Sequence, residues 1–213
     1  MKQKHSYIYL HGFASSPNSA KAQYLSDRFE QLKIDLQILD LNQNDFCHLT
    51  LSRQITQAQA AFPVDQTPVT IIGSSFGGLT AAWLGEKYSQ VQKIILLAPA
   101  FGFLDHWLPR LGEAQIKEWQ KSGYLSVYHY GERRELPLHY SFLEDLRQYQ
   151  KLELQRVIPT LILHGKYDEV IPIEASLKYS RNKYWVKLIE LDSDHSLIDV
   201  LPETWQAIEL FLN

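Results

Sequence analysis

Three residues that together can open an acyl bond lie along this sequence in a fixed order: Ser75, Asp168 and His195. A serine hydroxyl is a poor nucleophile until a neutral imidazole accepts its proton. A carboxylate behind the imidazole fixes the tautomer and stabilises the imidazolium that forms. Ser75 sits at the centre of Gly73-Ser74-Ser75-Phe76-Gly77-Gly78, a G-x-S-x-G pattern. That spacing has a mechanical reason. In a tight strand-to-helix turn, the residues two before and two after the serine come too close to neighbouring backbone to carry large side chains, and Gly73 and Gly77 relieve both contacts. The Phe76 amide then lies at a helix N-terminus, able to stabilise an anion. Alone, the pattern is weak. Gly/Ser-rich turns follow strands in many proteins that use them only for tight geometry or for phosphate binding, so the surrounding elements must decide.

Those elements are apolar, β-prone runs, and the chemical residues stand just past their ends. Ser6 to Leu10 reads as a first strand, stopped by His11-Gly12-Phe13. Ile34 to Leu39 reads as a second, and Val69 to Ile72, directly before the glycine turn, as a third. Lys93 to Ala98 is a fourth, stopped by Pro99. Thr160 to Leu163 is a fifth, followed by His164-Gly165-Lys166-Tyr167-Asp168, and Tyr184 to Leu191 a sixth, followed by Asp192-Ser193-Asp194-His195. Between them lie helical patterns: Ala22, Leu25, Phe29 and Leu32 behind a cap at Asn18 or Ser19; Leu51, Ile55, Ala58 and Phe62; an all-round apolar segment, Leu79 to Tyr88; then Ile173 to Arg181 and Leu201 to Leu212. Six strands alternating with helices predict an α/β fold with a mostly parallel sheet covered on both faces. Ligands of such sheets bind beyond the carboxyl ends of the strands.

Asp168 has a rival reading as a helix cap, and Asp192, Asp194 and Asp199 lie nearer His195 in sequence. Asp168 is preferred because it follows the fifth strand directly, from where a carboxylate reaches behind the imidazole. Gly12 lets the loop after the first strand pass close to the turn, which makes the Phe13 amide the second anion donor beside that of Phe76. His11 and His164 read as structural. Histidines 5, 48, 106, 129 and 139 follow no metal-ligand spacing and read as surface or lid residues, and Asp192-x-Asp194-His195 is weak as a metal site. No metal and no cofactor is expected.

Between the fourth and fifth strands, Pro99 to Val157 is too long for a simple connection and rich in aromatics. Within it, Glu113 to Gln120 suits a short helix, Tyr124 to Tyr130 alternates like a strand, Gly131 to Arg134 suits a hairpin turn, and Phe142 to Tyr149 suits another helix. The expectation is one domain over 1–213 with a cap or lid at 99–157.

Composition narrows the function further. Of 213 residues, 45% are apolar and 21% charged, and the net charge is −3, so the chain reads as an ordinary globular protein without a basic surface for nucleic acid or acidic lipid. The single cysteine, Cys47, rules out an internal disulfide. The N-terminus carries two lysines and then only Tyr7 to Leu10 before His11, far short of a signal-peptide core, and no run approaches the roughly 20 apolar residues of a membrane span. A cytoplasmic protein is expected, and nothing in the sequence specifies an oligomeric state.

Taken together, Tyr9-Leu10-His11-Gly12-Phe13 with its Ser-Ser-Pro loop, Gly73-x-Ser75-x-Gly77-Gly78, His164-Gly-x-x-Asp168-x-x-Ile171-Pro172 and Asp194-His195 resemble an α/β-hydrolase-fold serine hydrolase, similar to the small YqiA-type esterases. The resemblance spans essentially the whole chain, and the order Ser, Asp, His is that of the fold family. It implies a serine esterase acting on carboxylic esters, or acyl thioesters, of modest chain length through a Ser75–His195–Asp168 triad and an oxyanion hole of the Phe13 and Phe76 amides. The aromatic insertion departs from compact members. Two alternatives stand beside this reading: another reaction of the same triad, such as amide or carbon–carbon bond hydrolysis, and a non-catalytic small-molecule binding module.

Overall fold

Alternation along the strands decides the architecture. In β1 (Ser6–Leu10), Ile8 and Leu10 turn to one face, Tyr7 and Tyr9 to the other. The strands Val69–Ser74, Val91–Leu97 and Thr160–Gly165 repeat this, with Ile71 against Ile72, Ile94 and Leu96 against Ile95 and Leu97, and Ile162 against Leu161 and Leu163. A sheet apolar on both faces must be covered on both. The computed structural model, which describes residues 5–150 and 152–213, does so. The lysine pair Lys2 and Lys4 lies outside those residues.

With β2 (Leu36–Leu39), β3 (Val69–Ser74), β4 (Val91–Leu97), β7 (Thr160–Gly165) and β8 (Val186–Leu191), β1 forms a six-stranded sheet ordered β2-β1-β3-β4-β7-β8, every neighbouring pair parallel. On the Tyr9 face lie α1 (Ala20–Gln31), through Ala22, Leu25 and Phe29, and α7 (Leu201–Leu212), through Ile208. On the Ile8 face lie α2 (Leu51–Ala60) and α3 (Phe76–Lys87). Every residue of α3 from Phe76 to Gly85 is buried, as its all-round apolar sequence requires. The chain thus leaves β1 for one face and β3 for the other. Their loops part at the carboxyl ends of adjacent strands and open a crevice at the switch point.

The region between β4 and β7 folds as α4 (Phe103–Ser122), an antiparallel hairpin of β5 (Tyr124–His129) and β6 (Arg134–His139), and α5 (Ser141–Tyr149). The hairpin and α5 match the sequence expectation. The short helix expected over Glu113 to Gln120 does not: α4 begins ten residues earlier and breaks only at Gly112, whose φ of 76° and ψ of 157° are not helical. Phe103 and Leu104 are buried, so packing forms the first half of α4 despite Pro109 and Gly112. Leu32, read as part of the α1 stripe, lies just past the helix and is 44% exposed. Ser19 caps α1, its side chain accepting from the Ala22 amide. Past β7, α6 (Glu174–Ser180) returns the chain to β8.

Candidate active site

Ser75 occupies the junction between β3 and α3 with φ 52° and ψ −116°, a left-handed conformation rare for a residue with a side chain. Such strain costs on the order of 1–3 kcal/mol and persists only where surrounding structure over-determines it. Here the backbone bonds do so. The Ser75 amide donates to Leu97 O at 2.8 Å, and Ser75 O accepts from the amides of Gly78, Leu79 and Ala100. A Cβ on Gly73 would lie 2.2 Å from Gly77 O, and one on Gly77 would lie 2.3 Å from Leu10 O. Both glycines are steric requirements of the turn, as their spacing suggested.

The three sequence-predicted side chains come together. Ser75 Oγ lies 2.9 Å from His195 Nε2, and His195 Nδ1 lies 2.7 Å from Asp168 Oδ2. A carboxylate only accepts, so Nδ1 carries the imidazole proton and Nε2 is free to accept from the serine hydroxyl. The Asp168 side chain is fully buried, and its other oxygen, Oδ1, accepts from the Val170 and Ile171 amides at 2.8 Å each. Burial works against its charge, but hydrogen bonds from His164 and His195 outweigh it and hold the carboxyl well below the usual carboxylate range. The other aspartates near His195 are engaged elsewhere: Asp194 accepts from Ser196, and Asp199 from the Ser193 hydroxyl.

The loop after β1 lies against the serine. A Cβ on Gly12 would sit 3.3 Å from Ser75 Cβ, a tight contact that would press on the serine by a few tenths of an ångström. Neither the Phe13 nor the Phe76 amide donates a hydrogen bond to another described residue. Their side chains are pinned instead. The Phe13 ring contacts those of Phe46, Phe76, Phe103, Trp107 and Phe142, and Phe76 contacts Phe103 and Phe142, so aromatic rings of the insertion grip both residues. His11 is buried, its Nδ1 within 2.9 Å of Gly12 O and its Nε2 accepting from the Leu41 amide, a structural role as expected.

Two features escaped the sequence. Gly165 is packed so closely that a Cβ would lie 2.4 Å from the carbonyls of Ser193 and Asp194, so it seats the loop that carries His195. His129, read as a surface or lid residue, is buried with its ring edge-to-face with Phe46. Cys47 is half-buried, and burial together with the nearby Asp45 pushes its thiol pKa up, away from nucleophilic character. Among the described residues no group of three or more His, Cys, Asp or Glu side chains is arranged to hold a metal, and no helix is long and apolar enough to cross a membrane.

A cavity of about 790 Å³ lies along α3, lined by Leu79, Trp83, Phe101, Phe103, Tyr149 and Tyr179 among others. None of Ser75, Asp168 or His195 lines it. It starts one helical turn from the serine, at Leu79, and Phe103 belongs both to its wall and to the aromatic cluster around Phe13.

The parallel sheet, the strained serine turn after β3 and the strand-end positions of Asp168 and His195 define the α/β-hydrolase fold. The chain belongs to the family described as Uncharacterised protein family (UPF0227), whose model matches residues 6–212. Solved structures agree on the fold. A protein from Agrobacterium vitis S4, provisionally called a hydrolase, is 23% identical with a TM-score of 0.85, over 100% of this chain and 90% of that one. Alpha/beta hydrolase domain-containing protein 10 from mouse is 22% identical with a TM-score of 0.75, over 100% and 93%. A monoacylglycerol lipase from Paleococcus ferrophilus is 14% identical with a TM-score of 0.73, over 96% and 93%. No curated protein matches the sequence significantly.

Proposed function

We propose that this protein is a serine esterase that hydrolyses carboxylic esters, acyl thioesters included, of modest chain length. The observation that carries the reading is the unbroken line from Ser75 Oγ through the His195 ring to the buried Asp168 carboxylate, with two uncommitted amides beside the serine. In the first step His195 Nε2 takes the Ser75 proton as Oγ attacks the ester carbonyl, and the Phe13 and Phe76 amides receive the charge that gathers on the carbonyl oxygen. Collapse of this tetrahedral intermediate breaks the bond to the alcohol, which leaves with the proton from His195. A water molecule deprotonated by the same imidazole then releases the acid and restores the serine. No metal or cofactor is needed for any step.

The segment 99–157 acts in this reading as a cap. Its rings fix Phe13 and Phe76 and supply apolar walls. The 790 Å³ cavity falls in the range of roughly 300–1,000 Å³ that ligand pockets occupy, and it receives the acyl chain from the serine past Phe103. The lipase name of one structural neighbour is consistent with ester chemistry. The single cysteine fits a reducing, cytoplasmic setting. Steady-state assays on p-nitrophenyl esters from acetate to octanoate test the proposal. Hydrolysis whose kcat/KM peaks at an intermediate chain is expected, since each buried methylene contributes about 0.8 kcal/mol until the cavity is filled. A flat chain-length profile contradicts the role of the cavity, and no hydrolysis of any ester contradicts the reading itself.

A further inference from the structure

His164 does more than fill the end of β7. It is fully buried, and its Nε2 lies 3.0 Å from Asp168 Oδ2 and 2.9 Å from Ile171 O. Both neighbours are pure acceptors, so Nε2 carries a proton. Its Nδ1 lies 2.8 Å from Ser176 Oγ on α6, which is itself buried, and with the ring proton on Nε2 that nitrogen accepts from the hydroxyl. The one His164 Nε2–H is thus shared between Ile171 O and Asp168 Oδ2, and that carboxylate oxygen has imidazole nitrogens on two sides, His195 at 2.7 Å and His164 at 3.0 Å, while two backbone amides saturate the other oxygen. Two chains of contacts meet at the carboxylate: Ser75 to His195 to Asp168 from one side, and Ser176 to His164 to Asp168 from the other, the second sharing its N–H with Ile171 O.

We propose that His164, held by Ser176, is a positioning residue for the acid: its Nε2–H fixes the Asp168 Oδ2 that orients His195, and shares that oxygen's charge. The proposal rests on the triad reading above. It goes beyond it by assigning a role in the reaction to a histidine that touches neither substrate nor Ser75. A buried carboxylate oxygen facing one donor instead of two would be free to rotate within the space left behind, and its whole charge would fall on His195. Titratable groups that face this cluster are His195 and Asp194 on the loop after β8 and Lys21 on α1, whose ammonium interacts with both Asp168 and Asp194. His164 is the one on the α6 side.

The test compares His164→Gln with His164→Asn. The Gln amide nitrogen falls near the place of Nε2 and reaches Asp168, whereas the shorter Asn amide fills the site without reaching it. Each is measured for ester hydrolysis over pH and for the rate of Ser75 labelling by a fluorophosphonate. His164→Gln is expected to stay within about threefold of wild type, and His164→Asn to lose about 10–100-fold in kcat at unchanged KM, the size of one charge-assisted hydrogen bond. With less of its charge shared, the carboxylate holds a proton on the His195–Asp168 pair more tightly, so the acid limb of kcat/KM moves to higher pH in His164→Asn. Ser176→Ala shifts it the same way by less. In an Asp168→Asn background His164→Asn costs nothing further. Equal rates and profiles for the Gln and Asn variants overturn the proposal, as does a full extra loss in the Asp168→Asn background. Absence of labelling in the wild type instead removes the triad reading on which it rests.

Discussion

Ser75→Ala is expected to lower kcat for ester hydrolysis by about 10⁶-fold, the loss seen when the nucleophile is removed from a triad that acts as a unit. The variant should fold. The bonds that hold the strained turn, from the Ser75 amide to Leu97 O and from Gly78, Leu79 and Ala100 to Ser75 O, are all backbone. Alanine at φ 52° carries the same Cβ penalty as serine, so thermal stability should barely change. The loss is therefore chemical. The residual rate reports what the Phe13 and Phe76 amides and the binding site contribute without a nucleophile. A Ser75→Ala protein that turns over esters at the wild-type rate removes Ser75 from the chemistry.

Asp168→Asn has the second largest expected effect, about a 10⁴-fold fall in kcat, because it forces the wrong tautomer on the base. The direction follows from the hydrogen bonds. The Val170 and Ile171 amides both donate to Oδ1, so the Asn oxygen must stay there and its NH₂ must take the place of Oδ2. That NH₂ then faces the N–H of His195 and the N–H of His164. His195 is driven to accept at Nδ1 and carry its proton on Nε2, where it cannot take one from Ser75. Stability should fall too, with a definite pH dependence. The native carboxyl is held below its ordinary value, so its contribution is fully present above the unfolded value of about 4 and is lost as pH falls toward the folded one. Thermal unfolding should show wild type above Asp168→Asn at neutral pH, with the gap closing in acid. A gap that is constant across pH, or activity within tenfold of wild type, contradicts the assigned role.

The serine turn and its two partners were legible in the sequence because their constraints are local. Gly73 and Gly77 bracket Ser75 within one turn, and Asp168 and His195 each follow an apolar run that could only be a strand. The sheet was legible for the same reason: runs such as Val69 to Ile72 and Thr160 to Leu163 are too apolar and too β-branched for anything but a strand covered on both faces. What escaped depends on distant partners. Gly165 is required by the carbonyls of Ser193 and Asp194, 28 and 29 residues further on, and nothing beside it signals that approach. The first half of α4 carries Pro109 and ends at Gly112, the punctuation of a loop, and is helical because Phe103 and Leu104 pack into the core. The contact of His164 with Ser176 is of the same kind, since Ser176 lies on the next helix and nothing beside His164 signals it.

The chemistry assigned to Ser75 is tested most directly by reacting the full chain with a fluorophosphonate at neutral pH and mapping the adduct by mass spectrometry. Stoichiometric modification is expected at Ser75, with none at Ser74 directly before it and none in Ser75→Ala. A wild-type protein that stays unmodified, or carries the adduct on another residue, contradicts it.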